Sequence, residues 1–104
     1  MVSNFNFIVQ AKISVCLASY NGEKFIREQV ESILSNLNQD DELIICDDAS
    51  TDSTCSIIES IPDPRIKLIK NRKNLGHVKN FEKAISLAQV YCFSPIQTKI
   101  GLKR

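Results

Sequence analysis

Apolar residues along this chain follow two rhythms, and the rhythms alternate. Ile13-Ser14-Val15-Cys16-Leu17-Ala18 and Leu43-Ile44-Ile45-Cys46 are short, nearly unbroken apolar runs, the pattern of strands buried on both faces. From about 23 to 37 the apolar positions are instead three and four apart: Phe25, Ile26, Val30, Ile33, Leu34 and Leu37. That spacing predicts an amphipathic helix, with Asn21 as its N-cap and Glu23 in its first turn. A second helix is predicted over about 52–60, capped by Ser50 or Thr51 and stopped by Pro62-Asp63-Pro64. A third strand is predicted over 65–70, with Ile66 and Leu68 on one face. A third helix is predicted over about 77–89, with Val78, Phe81, Ile85 and Ala88 as its stripe.

Three strand-helix units in succession imply an α/β fold with right-handed crossovers and a parallel sheet. In such sheets ligands bind outside the C-terminal ends of the strands. The loops placed there are 18–22, 47–52 and 71–78. Residues 1–12 read as an N-terminal extension without a clear period. Residues 90–104 form a tail set apart from the rest, with no periodicity and with Pro95 where a further strand would run.

Composition narrows the classes of function. The 104 residues suffice for one domain. The formal net charge of +1 gives no field that would gather nucleic acid or an anionic membrane. No apolar run approaches the ~20 residues that span a bilayer. The stretch Phe5 to Val9, interrupted by Asn6, is too short for a signal core, so a cytoplasmic location is expected. Cys16, Cys46, Cys55 and Cys92 form no C-x-x-C pair, and the single histidine completes no zinc set. Cys16 and Cys46, inside apolar runs, read as buried thiols.

Candidate chemistry concentrates in the loops. Asp47-Asp48-Ala49-Ser50-Thr51-Asp52 places three carboxylates in six residues directly after a buried strand. A carboxylate there can accept hydrogen bonds from a base N–H or a ribose hydroxyl; the same residues would equally serve to cap a turn and open a helix. In Ser19-Tyr20-Asn21 the Tyr20 ring could stack on a base or simply pack as a loop aromatic. Asn74-Leu75-Gly76 precedes a helix start with Lys79 and Asn80 in its first turn, a setting that suits a diphosphate, although a plain loop with a solvated Lys79 has the same sequence. His77 reads as lining or capping that helix start rather than as a base.

Taken in order, these segments resemble family 2 glycosyltransferases. The matching pieces are residues 13–22, residues 42–52, and Asn74-Leu75-Gly76 with Lys79-Asn80-Phe81. The resemblance covers about residues 13–89 and implies the nucleotide-binding half of a GT-A domain. Its bacterial branch builds surface polysaccharides and includes rhamnosyltransferase-like members. It implies that Ala18 and Tyr20 border base and ribose, that Asp48 contacts the base, and that Lys79 lies near the base or diphosphate. Ser19, Asn21, Asp47, Ser50 and Asp52 would support them. The implied donor is a UDP- or dTDP-linked sugar, and the acceptor a polysaccharide or glycolipid. Full-length relatives would work at the inner membrane face.

The resemblance also marks what should follow. The family uses a fourth strand ending in acidic residues that hold Mn²⁺ or Mg²⁺ against the diphosphate, then a later carboxylate as general base. No Asp or Glu follows Glu82 in this chain, so no metal ligand and no catalytic residue is assigned. Moving the reading frame two bases forward in a back-translation of residues 94–101 permits Ser-Asp-Pro-Asp-Glu-Asp-Trp. The tail 90–104 is therefore read as out of frame, and the chain as inactive in transfer. A rival reading is a ligand-free, non-catalytic fragment whose exposed sheet edge self-associates. A signalling receiver domain would need a late Asp and Lys pair, and the late Asp is missing.

Overall fold

The computed structural model describes residues 13–88, 92–93 and 100–103. The expected N-terminal extension, 1–12, lies outside them. The elements are β1 (Ser14–Ser19), α1 (Ile26–Leu34), β2 (Glu42–Asp47), α2 (Thr54–Glu59), β3 (Ile66–Lys70), α3 (His77–Leu87), β4 (Cys92–Phe93) and β5 (Ile100–Lys103). Strands β1, β2 and β3 are mutually parallel, with Ser19 level with Asp47 and Asp47 level with Lys70. This is the predicted α/β fold, three strand-helix units of a partial GT-A sheet.

Strand alternation divides the core into two. Val15, Leu17, Leu43 and Ile45 pack with Ile26, Val30, Leu34 and Ile58 of α1 and α2. Cys16 and Cys46 face the other way, onto Ala84 of α3, with Phe81, Ile85 and Ile69 around them. Both faces of β1 and β2 are thus covered, which is why their sequences run apolar without alternation. Burying a side chain of this size stabilises by about 1.5–3 kcal/mol.

The tail contributes two short strands. The sheet order is β3-β2-β1-β5-β4, with β5 antiparallel to β1 and β4 antiparallel to β5. Strand β1 is therefore paired on both sides, and the outer strands of the described sheet are β3 and β4. The reason is elementary: β1 is almost wholly buried, and its backbone N–H and C=O groups on the β5 side need partners.

Both predicted caps are corrected. Asn21 stands at φ +47°, five residues before the first residue of α1, Ile26, and the helix begins after Phe25 with no side-chain cap. The contact at the start of α2 comes from Asp52, whose Oδ1 accepts from the Thr54 N–H at 2.9 Å, rather than from Ser50 or Thr51.

Candidate functional site

Successive residues at a strand end point to opposite sides, and the two aspartates after β2 use this to tie together different loops. Asp47, 1% exposed, faces loop 19–22. Its Oδ1 accepts from Ser19 Oγ and Ser50 Oγ, both at 2.7 Å, and its Oδ2 from the Ser50 N–H at 2.8 Å. Asp48, 3% exposed, faces loop 71–76. Its Oδ1 accepts from the Leu75 N–H at 2.7 Å and Asn71 Nδ2 at 2.9 Å, and its Oδ2 from the Gly76 N–H at 2.9 Å. Directly after them the chain passes through Ala49 at φ +65°, an uncommon left-handed position for a residue with a Cβ.

Burial works to raise the Asp48 carboxyl. The Leu75 N–H, the Asn71 amide and the Gly76 N–H, with the charge of His77 nearby, outweigh it and hold the group below its ordinary value of 3.8. Asp48 is therefore an anion at neutral pH.

Loop 19–23 is clasped to loop 50–54 by reciprocal bonds. The Asn21 N–H donates to Ser50 Oγ at 2.8 Å, and Asn21 Oδ1 accepts from the Thr51 N–H at 2.8 Å. The Gly22 N–H donates to Thr54 Oγ1 at 2.8 Å, the Glu23 N–H to Asp52 Oδ2 at 3.2 Å, and Glu23 Oε1 accepts from the Ser53 N–H at 2.9 Å. The supporting residues expected from sequence, Ser19, Asn21, Asp47, Ser50 and Asp52, all belong to this lattice.

Beyond the C-terminal ends of β1 and β2 lies a cleft of about 120 Å³. Ala18, Ser19 and Tyr20 form one wall; Asp48, Gly76 and His77 lie opposite, with Asn74 and Asn80. Past Tyr20 it opens into a groove of about 700 Å³ along α1, beside Phe25 and Ile26. Tyr20 is 45% exposed, so a ring face is open to a ligand. Of the four residues expected at a nucleotide, Ala18, Tyr20 and Asp48 come together here. Lys79 does not line the cleft; it is exposed on the first turn of α3.

Sequence reasoning missed the buried amides. Asn71 and Asn80 are 8% and 2% exposed; Asn71 Nδ2 donates to Asn80 Oδ1 and Asn80 Nδ2 to the Cys46 carbonyl, each at 2.8 Å. One signal was available. Asn80 falls four residues before Ala84, on the apolar stripe of its helix, where a polar side chain needs a buried partner.

The residues present do not fit a catalytic divalent metal. No group of three or more His, Cys, Asp or Glu converges among the described residues, and the Asp47 and Asp48 oxygens already accept from N–H and O–H donors.

Three parallel strands alternating with helices, with polar loops gathered at their C-terminal ends, make a partial GT-A fold. A solved mannosyltransferase from Pyrobaculum calidifontis, in complex with GDP-mannose and Mn²⁺, superposes with a TM-score of 0.65 at 23% identity, over 81% of this chain and 28% of its own. The sequence pattern of glycosyl transferase family 2 matches residues 14–93, and the chain belongs to that family. An uncharacterized glycosyltransferase of Haemophilus influenzae is 37% identical over 84 residues, which is 79% of this chain and 24% of that protein. A UDP-Glc:α-D-GlcNAc-diphosphoundecaprenol β-1,3-glucosyltransferase of Escherichia coli is 49% identical over 59 residues, 57% of this chain and 24% of that protein. The chain thus spans about a quarter of the length of these curated relatives.

Proposed function

We propose that this chain is the part of a family 2 glycosyltransferase that binds a nucleoside-diphosphate sugar, for transfer to a polysaccharide or glycolipid acceptor in the cytoplasm. The observation that carries the reading is the cleft at the strand ends, with an open aromatic ring on one wall and a held carboxylate on the other. The base would lie against Tyr20 and Ala18, and Asp48 would accept its N–H. Oδ1 of Asp48 already accepts twice, and Oδ2 once. One lone pair of Oδ2 is left for a ligand. It suits the single imino N–H of uracil or thymine, whereas the two adjacent donors of guanine would leave one unpaired. UDP- and dTDP-sugars are therefore the donors favoured. Lys79, on its flexible stem, would approach the diphosphate from the start of α3.

The 104-residue chain by itself would bind nucleotide without transferring sugar, because no carboxylate after Glu82 is present to act as base or metal ligand. Relatives of full length would supply those groups, with Mn²⁺ or Mg²⁺, at the inner membrane face. Among the described residues no helix is long and apolar enough to cross a membrane. Calorimetry with UDP, dTDP and GDP tests the reading. UDP or dTDP should bind more tightly than GDP, and Tyr20→Ala should weaken binding by about tenfold, the value of one base-aromatic stack. Absence of binding by all three nucleotides, or equal affinity of wild type and Tyr20→Ala, would remove this cleft as the nucleotide site; sugar transfer by the purified chain would refute the loss of activity.

A further inference from the structure

Asp48 is held from behind by a side chain that never reaches the cleft. Lys83, two-thirds along α3, donates from Nζ to Asn71 Oδ1 at 2.8 Å. Asn71 passes the contact on: its Nδ2 donates both to Asp48 Oδ1 at 2.9 Å and to Asn80 Oδ1 at 2.8 Å. Asn80 sits three residues before Lys83 on the same helix, so α3 grips the Asn71 amide at both ends. The backbone N–H of Asn71 is also used, on the Asp47 carbonyl at 2.8 Å. Every polar atom of the amide side chain thus has a partner, and only one orientation satisfies them all.

We infer that Lys83 is a positioning residue for the nucleotide site, acting through the Asn71 amide to fix where Asp48 points. This rests on the reading of the cleft given above. An ammonium on Oδ1 polarises the amide and strengthens its N–H bonds in series. With the ammonium removed, the buried Asn71 carbonyl has no partner and must turn to recover one. That turn releases Asp48 Oδ1, and Asp48 then rotates away from the setting that leaves one lone pair of Oδ2 toward the base. Lys83 does not line the cleft; its charge also acts through space, and the amide shifts at Asn71, Leu75 and Gly76 are what report the path through the Asn71 side chain.

The test compares Lys83→Met, which keeps the stem and removes the charge, with Lys83→Arg, which keeps a donor cation, in the whole chain. Nitrogen-15 spectra of the free protein should show the Asn71 side-chain amide and the Leu75 and Gly76 backbone amides shifted in Lys83→Met, while Asn21 and Thr51, on the other side of Asp47, stay in place. Lys83→Arg should restore the shifts. UDP affinity should fall by about tenfold in Lys83→Met and by no more than about threefold in Lys83→Arg. In an Asp48→Asn background Lys83→Met should have no further effect on UDP affinity. Unmoved Asn71, Leu75 and Gly76 resonances in Lys83→Met would overturn the inference, whether or not UDP binds. If Asp48→Asn weakens UDP and Lys83→Met does not, the inference fails and the site reading stands; if Asp48→Asn binds as wild type, it is the site reading that fails.

Discussion

Replacing Asp48 by Ala removes one carboxylate and strips three donors at once. The Leu75 N–H, the Gly76 N–H and Asn71 Nδ2 all end on it, and hydrogen bonds to a charged group are worth about 1.5–3 kcal/mol each. Those bonds share one acceptor and are not additive. Water entering from the cleft replaces part of what is lost, so the expected cost is about 3 kcal/mol. A domain of this length has a total stability of about 5–15 kcal/mol, which makes the loss a large share. In urea, with a slope near ~1.5 kcal/mol/M, the midpoint should fall by about 2 M, while Asp40→Ala, at an exposed turn, should shift it by less than about 0.3 M. The same carboxylate gives a signed pH dependence. Its folded value lies below the ordinary 3.8, so its contribution is complete above that value and is lost as pH falls through the lower folded one. Acid unfolding of Asp48→Asn should therefore be shallower than that of wild type. A midpoint shift under about 0.5 M for Asp48→Ala would mean that loop 71–76 does not depend on this residue, and the site as described would be wrong.

Three further outcomes are expected. Gly76 stands at φ +94°, ψ 158°, a region essentially restricted to glycine, with open space where a Cβ would go; Gly76→Ala should destabilise by about 1–3 kcal/mol through backbone strain alone, read by thermal melting. Ala49→Gly, at φ +65°, should raise stability by about 0.5 kcal/mol, relief of left-handed strain outweighing the added chain entropy. Cys55 is pushed up to about 11 by burial and by its hydrogen bond to Asp47, so at pH 8 its alkylation should be far slower than that of a free cysteine peptide.

The parts of the fold that could be read in the sequence are those where one effect dominates. Leu43-Ile44-Ile45-Cys46 is apolar on both faces because α1, α2 and α3 cover both faces, and so short a run, bounded by polar turns, fits a buried strand. Helix ends were less legible. The apolar stripe suggests a helix over 23–37, yet α1 is Ile26–Leu34. Glu23 is drawn into the clasp with loop 50–54, and Phe25 donates three residues back, to Gly22. At the other end, Asn36 and Leu37 donate three residues back, to Ile33 and Leu34. Asn21 has the residue type of a helix cap, but its side chain is spent on Thr51, a partner distant in sequence. Strands β4 and β5 leave no periodic trace, since their pairing, β5 with β1 and β4 with β5, is a backbone matter and asks little of side chains. In the site, Tyr20 and Asp48 were legible from their place after apolar strands, whereas the link from Lys83 to Asn71 joins a helix face to a loop and has no local signature.

The clasps around the cleft also govern how a ligand would be received. Fixing the backbone of a loop residue costs roughly 1–2 kcal/mol in lost freedom, and a site that closes only around its ligand takes that cost out of the affinity. Here Asn21, Ser50, Leu75 and Gly76 are already tied by bonds within the protein. The ordering is completed by folding rather than by binding, so even a small nucleotide meets a rigid receptor, and the rate at which it enters should be set by diffusion into the open groove rather than by loop closure.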